Sequence, residues 1–135
     1  MEMIKNIAVL YGGSSSERQI SLQSGKGVHA AIKELGYESN LIDFNNITNL
    51  NELKIYDFVF IALHGFEGEG GKLQKSLDDL NILYSGSKAK ACRDTWNKKL
   101  TKEILEKNNI TTPIWLEAEF NKELVENGLQ AALYD

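Results

Sequence analysis

Cysteine and histidine are scarce in this sequence. Cys92 is the only cysteine, so the chain cannot form an internal disulfide. The sequence also has only two histidines, so a structural zinc site is not expected. No apolar run approaches the roughly 20 residues of a membrane span, and Met1–Asn6 lacks the cationic start and apolar core of a signal peptide. We therefore expect a cytoplasmic protein that does not bind membranes.

Positive charge is also in short supply. The chain has 15 Lys and Arg against 19 Asp and Glu, for a formal net charge of −4. A binder of the nucleic-acid backbone normally carries a basic surface, so nucleic acid is not an expected partner. With 135 residues, 42% of them hydrophobic, the chain is long enough for one core and the beginning of a second.

What the sequence does contain is an alternation of short apolar runs and helical patterns. Continuous apolar runs bounded by turn residues are typical of strands that are covered on both faces. The pattern predicts a doubly wound, mostly parallel α/β sheet with right-handed crossovers. The predicted strands are Ile4–Leu10, Ser39–Phe44, Asp57–Leu63 and Ile82–Tyr84; the predicted helices are Glu17–Gly36, with its apolar face at Ile20, Val28, Ala31, Ile32 and Leu35, and Lys72–Leu80.

The character of the chain changes near residue 95. From Asp94 an amphipathic helix is predicted, with Trp96, Leu100 and Ile104 four residues apart, followed by a strand at Ile114–Leu116 and a helix from about Glu119. The roughly 40 residues after the boundary are too few to bury a core of their own. We expect two domains, 1–95 and 96–135, the second of them incomplete.

The turn after the first strand, YGGSSSERQIS at Tyr11–Ser21, matches neither common phosphate-binding motif. A dinucleotide fingerprint needs G-x-G-x-x-G, whereas Gly12 and Gly13 are adjacent and no third glycine follows at the required spacing. A P-loop needs G-x-x-x-x-G-K-[ST], and the SGKG at 24–27 has no glycine before it at the right place.

Two interpretations of this turn remain open from the residues alone. In one, a serine caps the helix and Glu17 favours the positive end of the helix dipole. In the other, Glu17 lies at the carboxyl end of a parallel strand, where ligands bind, and holds a substrate ammonium group. His64 closes the third strand and is equally compatible with a structural or a functional role. Glu67 and Glu69 lie among glycines, and a metal pair there is not favoured.

Three segments together resemble one family. They are IAVLYGGSSSERQISLQSG at 7–25, FIALHGFEGEGGKLQ at 60–74 and YSGSKAKACRDTWNKKLTKEIL at 84–105. They are similar, in order and spacing, to the G-G-x-S-x-E-x-x-[IV]-S turn, the L-H-G-x-x-G-E-D-G-x-x-Q loop and the Y-x-G-S and M-D-K segments of the D-alanine–D-alanine ligases, which are members of the ATP-grasp superfamily.

The resemblance implies a fold and a chemistry. The fold is the Rossmann-like domain that precedes the ATP-grasp domain, followed here by the first elements of an incomplete ATP-grasp domain. The reaction uses ATP and magnesium to phosphorylate one D-alanine, whose acyl phosphate is attacked by a second D-alanine to give the dipeptide used in peptidoglycan. The resemblance also implies a homodimer. It implies no metal site in this chain, because the magnesium carboxylates and most of the ATP site lie beyond the part that is similar.

The resemblance assigns roles to five residues. It implies that Glu17 receives the ammonium of the first D-alanine, that His64 lies beside its carboxylate and that Ser21 supports Glu17 by hydrogen bonding. It also implies that Ile20 lines the methyl pocket of the second D-alanine and that Lys98 reaches the ATP phosphates. Two motifs depart from the family pattern: M-D-K is Trp-Asn-Lys at 96–98, and G-E-D-G is Gly-Glu-Gly-Gly at 68–71.

The function expected from the sequence is therefore the amino-terminal part of an ATP-dependent D-alanine–D-alanine ligase, inactive as these 135 residues alone. Two alternatives from other classes remain: a free-standing module that binds a small molecule without catalysis, and a dimerisation module.

Overall fold

The computed structural model of the protein describes residues 4–116. The chain divides into two compact units, Met1–Thr101 and Lys102–Asp135. The domain boundary near residue 95 stays a prediction, because compactness within this chain does not define where the domains of a longer protein would meet. Across the described residues, no helix is both long enough and apolar enough to cross a bilayer.

The first unit contains a three-stranded parallel sheet in the order β2-β1-β3, so the first strand is central. This confirms the predicted fold class. The strands are β1 (Asn6–Tyr11), β2 (Glu38–Asp43) and β3 (Phe58–Ile61); the helices are α1 (Arg18–Glu34), α2 (Phe66–Glu69), α3 (Lys72–Asp79), α4 (Ala89–Trp96) and α5 (Lys98–Lys107), with 3₁₀ turns at Phe44–Asn46 and Leu50–Ile55.

The core forms because β1 is apolar on both of its faces. Ala8 and Leu10 belong to a buried cluster that includes Leu73 and Leu77 of α3, while Val9 is fully buried on the opposite face. Alternate residues of a strand point to opposite faces, so helices are needed on both sides of the sheet. That two-sided cover is what the continuous apolar run predicts.

Helix α1 meets the sheet through small residues. Its buried residues are Ser21 and Gly25, and a Cβ added to Gly25 would lie only 2.4 Å from the Cβ of Tyr11. The predicted apolar contact face was wrong in part, since Ile20 and Leu35 are 52% and 75% exposed. The hydrophobic residues of α1 therefore do not all identify the face that contacts the sheet. Close approach to β1 requires small residues at the contact, and these carry no hydrophobic signal.

The fourth predicted strand, Ile82–Tyr84, is reduced to a single parallel bridge between Val59 and Tyr84. Val59 donates to the carbonyl of Leu83 at 2.8 Å and accepts from the amide of Ser85 at 3.0 Å. The glycine-rich segment after β3 contains the one-turn helix α2.

The single helix predicted from Asp94 is two helices, α4 and α5, separated at Asn97. Asn97 has an extended backbone, with ψ of 105°, and its side-chain Oδ1 accepts from the amide of Leu100 at 2.9 Å. Asparagine is a favourable N-cap, so it ends one helix by starting the next. Consequently Trp96 and Leu100 do not belong to one continuous helical face.

In the second unit, the described residues 102–116 contain the end of α5 and a segment without regular secondary structure. No strand is present at Ile114–Leu116, contrary to the prediction, and Ile114 is 99% exposed. The segment is held instead by Lys102, which donates to Thr112 at 2.5 Å, and by Trp115, whose indole donates to Glu106 at 2.7 Å. The helix predicted from about Glu119 lies outside the described residues.

Candidate functional site

Two of the predicted site residues lie at the carboxyl edge of the sheet. Glu17 immediately precedes α1, and His64 comes three residues after the end of β3. Because β1 and β3 are parallel neighbours, the segments that follow them emerge at the same edge. This is the edge at which open α/β sheets bind their ligands.

Glu17 lies against the backbone that follows His64. A Cβ added to Gly65 would be 3.1 Å from Glu17 Oε2, and Gly65 has φ of 75°, a conformation that glycine adopts readily. Glu17 is itself the N-cap residue of α1, and no side chain caps the helix. The Oγ of Ser15 accepts from the Glu17 amide at 3.2 Å, one residue before the helix begins. The hypothesis of a serine N-cap is therefore wrong.

His64 is half-buried and is held by two serines. Its ring Nε2 lies 3.1 Å from Ser24 Oγ of α1, and its carbonyl accepts from Ser15 Oγ at 3.1 Å. The tautomer decides which partner donates in the first of these hydrogen bonds. Both the ring and the backbone of His64 are thus fixed relative to the β1–α1 turn.

Ser21 is fully buried beneath this turn. Its Oγ accepts from the amide of Gly12 at 2.8 Å and donates to the carbonyl of Ala62 at 2.7 Å. These bonds tie the end of β1 to the segment after β3. Ser21 therefore organises the backbone around Glu17, while Ile20 beside it is about half exposed at the start of α1.

Lys98 is the exposed first residue of α5. The preceding helix is anchored to α2, because the Trp96 ring meets Phe66 of α2 edge to face, with ring centroids 5.5 Å apart. The structure thus brings together Glu17, His64 and the backbone-organising Ser21, and the role of Lys98 stays a prediction.

An ion pair fixes the beginning of α1. Arg18 donates to Asp43 Oδ1 at 3.0 Å and Oδ2 at 2.5 Å, and also to the carbonyl of Gly13 at 2.9 Å. The Arg18 hydrogen bonds hold the pKa of Asp43 below its ordinary value, and the amide of Asn45 acts in the same direction. Asp43 thereby joins the end of β2 to the β1–α1 turn.

A second carboxylate also holds the turn. Glu67 of α2 accepts from the amide of Ser14 at 2.8 Å and from its hydroxyl at 2.6 Å. The sequence indicated neither this contact nor the Ser24–His64 contact. The available signal was composition, since a turn with three consecutive serines has many donors that need acceptors.

The arrangement is suited to a small zwitterion. It places the Glu17 carboxylate against Gly65, the residue that follows His64, and serine hydroxyls contact both the ring and the backbone of His64. Within residues 4–116, no group of three or more His, Cys, Asp or Glu side chains is arranged to hold a metal ion.

A parallel sheet with helices on both faces and polar groups at its carboxyl edge defines a domain of the doubly wound α/β class. No protein-family model matches the chain. The chain does match curated relatives. It is 41% identical over 120 residues to a D-alanine–D-alanine ligase of Bordetella avium, and 44% identical over 110 residues to one of Aquifex aeolicus. These matches cover 87% and 81% of this chain. The chain is thus a relative of the D-alanine–D-alanine ligases and corresponds to their amino-terminal portion.

The structure gives the same result. A D-alanine–D-alanine ligase of Bacillus anthracis, solved in complex with ATP, superimposes with a TM-score of 0.76 and 34% sequence identity over 91% of this chain. The match covers 44% of that structure, and the chain spans 38% of the length of the two curated relatives.

Proposed function

We propose that this chain is the amino-terminal, amino-acid-binding part of an ATP-dependent ligase that joins two molecules of D-alanine for peptidoglycan. The observation that carries the proposal is the exposed Glu17 carboxylate, which lies beside the His64–Gly65 backbone and pairs with no cation among the described residues. The identity to D-alanine–D-alanine ligases over most of the chain supports D-alanine as the substrate.

Glu17 would bind the ammonium group of the first D-alanine. The nearest basic residue in sequence, Arg18, is already occupied by Asp43 and the Gly13 carbonyl, so it does not neutralise Glu17. A charge-assisted hydrogen bond to an ammonium contributes about 1.5–3 kcal/mol. Recognition of the substrate amine therefore falls to Glu17.

His64 would lie beside the carboxylate of the same D-alanine. The two serines that fix its ring and backbone hold it at a constant distance from the turn that carries Glu17. A zwitterion between the two groups would then place its ammonium toward Glu17 and its carboxylate toward the imidazole. The carboxylate so oriented is the group that is phosphorylated in the proposed reaction.

The ATP and magnesium that this reaction requires fit the described residues poorly. Lys98 is the one residue predicted to reach the ATP phosphates, and residues 4–116 contain no group of side chains arranged to hold a metal ion. We propose that the nucleotide and metal sites belong to the portion of the ligase that the relatives have beyond the matched part. This chain would accordingly supply half of an active site, and the homodimer is part of the same proposal.

The proposal is tested by substituting Glu17 in the full-length polypeptide that contains this chain. We expect Glu17→Gln to lower kcat/KM for the first D-alanine at least tenfold, because a neutral amide loses the charge that attracts the ammonium. The matched control is Glu34→Gln at the other end of α1, which should leave the kinetics unchanged. Phosphate release that depends on D-alanine is the measurement, and near-normal kinetics of Glu17→Gln would reject the assignment.

A further inference from the structure

Glu67 and Ser14 form a contact that joins two separate segments of the site. The Glu67 carboxylate uses both of its oxygens on this one serine, with Oε2 accepting from the Ser14 amide at 2.8 Å and Oε1 accepting from its hydroxyl at 2.6 Å. Hydrogen bonds to a charged acceptor are about twice as strong as neutral ones, and two parallel bonds also fix direction. We call this pair the Glu67–Ser14 clamp.

The clamp uses positions that the family motifs leave open. Ser14 is the first x of G-G-x-S-x-E, and Glu67 is the second x of L-H-G-x-x-G. The roles implied by the resemblance therefore do not include either residue. A carboxylate and a serine are both needed for the contact, so it is a property of this chain rather than of the motif.

The clamp acts on the part of the turn that has the least packing to hold it. Ser14, Ser16 and Glu17 are all exposed. The turn follows Gly13, whose φ of 74° gives the backbone a freedom that other residues lack, and a Cβ added there would be 2.2 Å from Glu67 Oε2. Hydrogen bonds, rather than buried apolar area, decide where this backbone lies.

The consequence concerns Glu17, three residues after Ser14. The neighbouring Ser15 donates to the His64 carbonyl and accepts from the Glu17 amide, so the clamp and Ser15 together attach the turn to the segment that carries His64. We infer that Glu67 is a positioning residue, which sets the distance between the Glu17 carboxylate and His64 and thereby the affinity for a small zwitterionic amino acid. This inference rests on the proposed function.

The first test measures the clamp in this chain without any substrate. NMR solvent exchange should show that Glu67→Ala speeds exchange of the Ser14 amide about tenfold, while Val9 in β1 is unaffected. The matched control, Glu34→Ala, removes an exposed carboxylate from α1 and should change neither amide. Unchanged Ser14 exchange in Glu67→Ala would overturn the clamp.

The second test measures its consequence in the full-length enzyme. We expect Glu67→Ala to raise KM for the first D-alanine about tenfold with a smaller change in kcat, at an unchanged urea midpoint. Glu67→Gln should largely restore KM, because its Oε1 can accept from the Ser14 amide and its Nε2 can donate to the Ser14 hydroxyl. Adding Ser14→Ala to Glu67→Ala should cost little more, since both remove the same contact.

The outcomes separate the two proposals. A normal KM in Glu67→Ala, or no rescue by Glu67→Gln, would overturn the positioning role while leaving the ligase assignment intact. A full-length wild-type protein with no D-alanine-dependent turnover would overturn the proposed function and, with it, the effect of Glu67 on D-alanine affinity. In that case the exchange measurement still decides whether the clamp itself exists.

Discussion

Replacing Gly25 by alanine should push α1 away from the sheet. Gly25 is buried, and an added Cβ would lie 2.4 Å from Tyr11 Cβ and 2.9 Å from Tyr11 Cγ. The position of a Cβ is set by the backbone, so Tyr11 cannot relieve the contact by changing rotamer. Gly27 offers a matched control, because it lies in the same helix and a Cβ added there meets nothing within 4 Å.

The size of the effect follows from two opposing terms. In a helix interior, alanine is favoured over glycine by about 1 kcal/mol, and this gain applies to both variants. Overpacking costs about 1–3 kcal/mol, and the upper end applies at Gly25 because the contact is with a backbone-fixed atom. We therefore expect Gly25→Ala to destabilise by about 2 kcal/mol and Gly27→Ala to stabilise by about 1 kcal/mol, a difference of about 3 kcal/mol.

Urea unfolding followed by circular dichroism measures this difference directly. With an m-value of about 1–3 kcal/mol/M, the midpoints of the two variants should differ by about 1–3 M. The paired design removes helix propensity from the comparison, so the remaining difference reports the α1–β1 contact alone. Equal midpoints would refute the reasoning, since they would mean that α1 lies farther from Tyr11 than the structure places it.

Three further predictions concern the site and its support. In the full-length enzyme, His64→Ala should lower kcat more than it raises KM for ATP, and Ser24→Ala should have a smaller effect in the same direction. If His64→Ala instead lost thermal stability and kept normal turnover per folded molecule, the role of His64 would be structural. Asp43→Asn should lower the urea midpoint at pH 7. The Arg18 hydrogen bonds lower the folded-state pKa of Asp43, so their contribution to stability is complete above the ordinary pKa of about 3.9 and is lost as the pH falls through the lowered pKa. If the midpoint of Asp43→Asn still differed from that of wild type at acid pH, the lost stability could not come from the ionised Asp43–Arg18 pair. Residues 1–135 alone should release no phosphate from ATP in the presence of D-alanine and magnesium, and stoichiometric turnover would show that the active site is not divided.

The sheet could be predicted from the sequence because its strands are marked by continuous apolar runs. The strand predicted at Ser39–Phe44 lies at Glu38–Asp43, one residue earlier, and β1 and β3 lie within or next to their predicted runs. The contact face of α1 could not be predicted in this way, because Ser21 and Gly25 carry no hydrophobic signal. The break at Asn97 did have a signal, since asparagine is a good N-cap, but the spacing of the apolar residues around it favoured a single helix.

The site could be predicted only where backbone topology determines it. The strand-end rule was enough to place Glu17 and His64 at one edge of the sheet. The hydrogen bonds that hold this edge connect residues far apart in the chain, such as Ser14 with Glu67 and Arg18 with Asp43. Such pairs depend on strand register and rotamers, which no local pattern of residues determines.

The central position of β1 has a consequence for the order of events during synthesis. β1 pairs with β2 on one side and with β3 on the other. In the β1–β3 ladder Leu10 pairs with Ile61, which the ribosome adds about 50 residues after Leu10. At about 5–20 residues per second, the most apolar strand of the sheet waits roughly 3–10 s on the ribosome before both of its edges can be covered. During that interval the apolar segment Ile7–Leu10 is a target for chaperones or for mispairing.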